Sequence, residues 1–78
     1  MMGHLESLGP ALKLMRQRRG IKLFEMAELV NCSPNTLIAY ERGRRLPSLR
    51  RLETILKELG ATLSDLERAV KYVARIAT

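Results

Sequence analysis

Leu23-Phe24-Glu25-Met26-Ala27-Glu28-Leu29-Val30, then Asn31-Cys32-Ser33, then Pro34-Asn35-Thr36-Leu37-Ile38-Ala39-Tyr40-Glu41-Arg42-Gly43 decide how this chain folds. Two short amphipathic segments are joined by a three-residue turn, and the second opens on a helix-start signal. Ser33 can accept from the free N–H groups of a first turn, and Pro34 stands where its missing N–H costs nothing. Asn31 suits the left-handed conformation that ends one helix, and Gly43 suits it at the end of the next. The pattern is a helix-turn-helix over about residues 22–42, whose second helix is shaped for a DNA major groove.

Around this stretch, composition sets limits. Seventy-eight residues make a single domain, 1–78, small enough for oligomerisation to add stability. A hydrophobic fraction of 46% argues for a globular fold over a disordered chain. The formal charge is +6. Residues 1–51 hold ten Lys/Arg against four Asp/Glu, whereas residues 52–78 hold four of each. The excess therefore surrounds the helix-turn-helix, where it favours phosphates through counterion release.

Other classes of function find no support. Cys32 is the single cysteine, which excludes an internal disulfide and a cysteine-based metal cluster. It reads as a small packing residue of the turn. No apolar run has transmembrane length, and the start lacks the basic-then-apolar layout of a signal peptide, so a reducing cytoplasm is expected and no membrane partner. His4, in the leading Met1-Met2-Gly3-His4, is the single histidine and receives no role. Without a nucleophile–base pair, paired carboxylates or a metal-ligand cluster, we expect no enzyme, catalytic residue, metal or cofactor. At this length we expect no effector domain of ordinary size.

Apolar periodicity predicts five helices and no strand. The first covers about residues 8–19, with Leu8, Leu12 and Met15 in register, Pro10 in the first turn and Gly20 at the end. The second, about 22–30, buries Met26, Ala27 and Val30; the third, about 34–42, buries Leu37 and Tyr40. A basic loop with Arg44 and Arg45 follows. Ser48 caps a fourth helix whose Leu49, Leu52, Ile55, Leu56 and Leu59 form a wide apolar stripe stopped by Gly60. Thr62 and Asp65, close to a capping box, open a fifth helix reaching about Ala77.

From Leu8 to about Leu66 the chain resembles the phage-repressor/Cro-like helix-turn-helix regulators of the xenobiotic-response-element type. Carrying the likeness are Leu14-Met15-Arg16, Arg18-Arg19-Gly20-Ile21, Met26-Ala27 with Val30, Ser33 with Thr36-Leu37, and Tyr40-Glu41-Arg42-Gly43-Arg44-Arg45 with Pro47-Ser48. The Leu49-to-Gly60 spacing matches the family's fourth helix. The resemblance implies an all-α, five-helix repressor-like domain that binds double-stranded DNA, usually as a dimer. It places Lys22, Arg42, Arg44 and Arg45 at the phosphates, and it sets Leu23 where the family commonly carries a phosphate-binding Gln. It pairs Arg16 of the first helix with Glu41 at the end of the third. Its base-facing positions fall on Pro34, Asn35 and Ala39, flanked by Thr36 and Ile38.

Asn35 is the strongest reader among these, since an amide pairs bidentately with adenine N6 and N7, while Ala39 and Ile38 suit a thymine methyl. Two apolar features go beyond a monomer core. Leu23, Phe24 and Leu29 crowd the second helix, either as extra core or as a partner site. On the fifth helix, Leu63, Leu66, Val70, Val73 and Ala77 follow 3-4 spacing, with Ala69, Tyr72 and Ile76 beside them. We expect residues 63–77 to form the dimerisation helix, with Leu66, Val70, Tyr72, Val73 and Ile76 at a homodimer interface. The expected function is a sequence-specific transcriptional regulator, a repressor on an inverted repeat. The alternative is a protein-binding module such as the antitoxin of a toxin–antitoxin pair.

Overall fold

A computed structural model describes residues 6–76, so His4 and Ala77 lie outside the described residues. Five helices follow one another: α1 (Leu8–Arg18), α2 (Leu23–Leu29), α3 (Pro34–Glu41), α4 (Leu49–Leu59) and α5 (Leu63–Ile76). No strand occurs among the described residues.

Local chemistry explains where the helices start. Ser33 Oγ accepts from Thr36 N–H at 3.1 Å, and Ser48 Oγ accepts from Arg51 N–H at 3.1 Å, each satisfying a donor that has no partner within its helix. At α5 the capping is reciprocal. Asp65 N–H donates to Thr62 Oγ1 at 3.1 Å, and Thr62 N–H donates to Asp65 Oδ2 at 2.9 Å. The Thr62 backbone donor, with help from Arg68, holds the Asp65 carboxyl below its ordinary value. Glu25 contributes a cap not expected from the sequence, its Oε1 accepting from Lys22 N–H at 3.2 Å ahead of α2.

The ends of α1 to α4 share one backbone motif. A residue just beyond the helix takes a positive φ, and the next N–H reaches back five residues: Ile21 to Arg16, Cys32 to Ala27, Arg44 to Ala39, Ala61 to Leu56. Three of these turns use glycine; the turn between α2 and α3 uses Asn31, at φ 57°.

The core gathers Ala11, Leu12 and Met15 of α1, Met26, Ala27 and Val30 around α2, Leu37 and Tyr40 of α3, and Ile55, Leu56 and Leu59 of α4. Leu66 of α5 closes it. α1 packs along α5 and crosses α3, while α2 packs on α3. Gly9 makes the second crossing possible. A Cβ there would sit 2.2 Å from the Tyr40 carbonyl oxygen and 2.8 Å from that of Glu41.

Two expectations change, and the alternatives open on the second helix are resolved. Leu49 is 85% exposed rather than part of the α4 core stripe. The first turn of α4 places it on an open groove with Leu52, Leu56, Ala61 and Leu63, left uncovered by the other elements among the described residues. Leu66, expected at the dimer interface, is 7% exposed and belongs to the domain's own core, because the inner stripe of α5 faces α1. The crowded α2 also divides: Leu23 packs against the core, whereas Phe24 and Leu29 stay exposed.

Candidate nucleic-acid interface

α3 presents two opposite faces. Leu37, Tyr40 and Glu41 are buried. Asn35, Ile38, Ala39 and Arg42 occupy the i, i+3, i+4, i+7 positions of the other face, partly or fully exposed. The Asn35 amide has no hydrogen-bond partner among the described residues. Pro34 and Thr36 stand at the start of the helix, where the Thr36 hydroxyl lies 2.9 Å from Ser33 Oγ and belongs to the cap. The outward face thus offers one amide with both donors and its acceptor open, apolar surface beside it, and a cation at its far end.

The orientation of α3 is set from beneath. Arg16 Nε donates to Glu41 Oε2 at 2.7 Å, and Nη2 donates to Oε1 at 3.1 Å, a two-pronged pair whose side chains are 9% and 6% exposed. The remaining nitrogen, Nη1, donates to the Ile21 carbonyl at 2.8 Å. One guanidinium therefore fixes both the last turn of α3 and the backbone that leads to Lys22. No buried side-chain nitrogen or oxygen among the described residues lacks a partner.

Lys22, Arg42, Arg44 and Arg45 are all exposed, and none carries an ion pair among the described residues. They lie at the start of α2 and at the end of α3, where Gly43, at φ 75°, turns the chain into the loop. Four exposed cations without ion pairs, on the elements that bracket α3, are a feature suited to a polyanion. Three other basic residues are engaged elsewhere. Arg16 is occupied as described, and Arg51 Nη1 donates to the carbonyls of Val30 at 2.7 Å and Asn31 at 3.2 Å. Arg18 lies over the Tyr72 ring, 5.3 Å from its centre, on the α1–α5 side.

Sequence reasoning missed Arg51, Gly9 and Glu25. Glu25 was open to it, since a Glu at the third helical position is a known capping signal. The partners of Arg51 and Gly9 lie some twenty to thirty residues away, and nothing local marks them.

The helix-turn-helix domain family matches residues 7–69. Over 61 residues the chain is 36% identical to the HTH-type transcriptional regulator DdrOP3 of Deinococcus deserti, a span covering 78% of this chain and 47% of that protein. The chain thus spans about half the length of that regulator. Two crystal structures of the clp gene regulator ClgR from Corynebacterium glutamicum share the fold. One has a TM-score of 0.86 at 32% identity over 95% of this chain and 79% of that one. The other has 0.84 at 34% identity, over 91% of each. The motifs, the five-helix architecture and these likenesses agree: the chain belongs to the helix-turn-helix domain family.

Proposed function

We propose that this chain is the DNA-binding domain of a transcriptional regulator that reads double-stranded DNA with α3. The observation that supports the reading is the outward face of α3, where Asn35 is exposed without a hydrogen-bond partner among the described residues, together with the exposed Lys22, Arg42, Arg44 and Arg45 at the ends of α2 and α3. The names of the similar proteins, a transcriptional regulator and a clp gene regulator, support it. In this role the four cations hold phosphates and set the register, which supplies affinity without sequence information. Asn35 pairs with an adenine edge, and Ile38 and Ala39 meet a thymine methyl. Pro34 and Thr36 approach the bases only at the edge of this face. The protein acts where its DNA is, in a reducing cytoplasm with Cys32 as the free thiol.

The regulator works as a homodimer on an inverted repeat, with two copies of α3 in successive major grooves about 34 Å apart. The outer side of α5 supplies the contact. With Leu66 in the core, that contact falls to Tyr72, 44% exposed, and Ile76, 63% exposed, with the half-buried Val70 and Val73 at its margin. Occupying a promoter in this way blocks polymerase and represses. The experiment is equilibrium binding of the wild type and Asn35→Ala to a selected operator and to random duplex. Asn35→Ala loses about 1–3 kcal/mol on the operator and little on random DNA. Equal losses on both remove Asn35 as a reader.

A second reading, a protein-binding module such as an antitoxin, draws on one observation. Phe24 is 72% exposed beside the helix-turn-helix, an uncommon place for a bare aromatic ring. A stoichiometric complex with a neighbouring gene product, lost in Phe24→Ser, marks that role.

A further inference from the structure

Arg51 stands in the first turn of α4, the end of a helix dipole that disfavours a cation. Its side chain leaves that helix for another. Nη1 donates to the Val30 carbonyl at 2.7 Å and to the Asn31 carbonyl at 3.2 Å, both at the C-terminal end of α2. There a positive charge is favoured, and α2 has no basic residue of its own in its last turn.

The carbonyls it takes are those the turn leaves over. Asn31 N–H returns to Glu28 at 3.1 Å and Cys32 N–H to Ala27 at 3.0 Å, which satisfies those two carbonyls but not those of Val30 and Asn31. This is also the one motif among the four helix ends that places a side chain, Asn31 at φ 57°, in the left-handed region. It is the turn that sets α3 against α2. Everything α3 presents outward depends on its angle.

We infer that Arg51 is a positioning residue: a cationic clamp from α4 that holds the helix-turn-helix turn in its bound form and takes no phosphate itself. The clamp rests on the geometry of the free protein, and its consequence for DNA rests on the reading proposed above. Because α4 supplies the residue that holds the turn, a change in α4 packing is transmitted to the turn by this side chain, beside the shared core.

Arg51→Met keeps the aliphatic stem and removes the donors, while Arg51→Lys keeps one donating group at shorter reach. In the free protein, amide exchange at Asn31 and Cys32 is expected to rise about tenfold or more in Arg51→Met relative to amides of α1 and α5, with Arg51→Lys in between. On DNA, Arg51→Met is expected to lose about tenfold on a duplex enriched from a random library. Affinity for an unselected duplex of the same length stays within about twofold, and the dependence on salt is unchanged. Unaltered exchange at both amides overturns the clamp. A salt slope reduced by about 0.9, with equal losses on both duplexes, overturns it as well, since Arg51 then holds a phosphate. If Arg51→Met does not fold, the same measurements on Arg51→Lys decide. If wild type enriches no duplex, the DNA reading fails, and the exchange data alone decide the clamp.

Discussion

Arg16 meets three acceptors with three nitrogens, two on Glu41 and one on the Ile21 carbonyl, at 2.7 to 3.1 Å. Such a buried pair costs much to desolvate, so its net worth against an apolar replacement is small, while losing one partner is severe. Glu41→Ala strands the guanidinium and is expected to cost about 3–5 kcal/mol, which lowers the melting temperature by roughly 10 °C or more for a domain this small. The double variant Arg16→Met/Glu41→Leu recovers most of that loss, because no charge is left without a partner. Thermal denaturation checks both, and an unchanged melting temperature in Glu41→Ala contradicts the account. At the same scale, under the proposed function, the labour of recognition is divided between Asn35 and Arg51. The first faces outward with its amide open, and the second is turned inward to hold the backbone that aims it.

Between elements, the crossing of α1 over α3 depends on the absence of a side chain at Gly9. Glycine in a helix gives up about 1 kcal/mol relative to alanine, so at an open position alanine would stabilise. Here the obstructing atoms are backbone carbonyls that have nowhere to move. Gly9→Ala therefore destabilises, by about 1–3 kcal/mol, through overpacking. Because the clash falls on Tyr40 and Glu41, it also tilts α3. Denaturant titration measures the first effect, and a stabilised Gly9→Ala would contradict the contact. The helices themselves were legible from sequence, since Ser33, Ser48, Thr62, Asn31 and the glycines punctuate them locally and the apolar spacing names most of the core. What escaped was which side of an apolar helix turns inward. Leu49 continues the stripe of α4 by spacing, yet its turn lies on an uncovered groove, while Leu66 shares the α5 stripe with the exposed Leu63 and is buried. Periodicity fixes a face; it does not say where along that face the neighbouring helix stops. Of the proposed interface, the motif named Asn35 and the four cations, and the structure leaves them exposed. Arg51 was counted among the excess charge, because its partners are distant in the chain.

For the whole molecule, the proposed function requires a domain this small to bind selectively. On the proposed reading one copy of α3 offers a single strong reader and no Arg or Gln at its base-facing positions 34–39, too little for high selectivity alone. Doubling the site on a two-fold axis doubles both phosphate contacts and base readout. Sedimentation equilibrium is expected to show a dimer at roughly tens of micromolar, with Ile76→Asp shifting it to monomer. A monomer at that concentration contradicts the α5 contact. Dissociation by Leu49→Asp instead moves the interface to the groove between α4 and α5. Most directly, the central claim is tested by selecting bound duplexes from a random library near physiological salt, where non-specific attraction is already weakened. The account predicts an enriched inverted repeat whose half-sites lie about one helical turn apart. Binding without enrichment, or no binding at all, would contradict it.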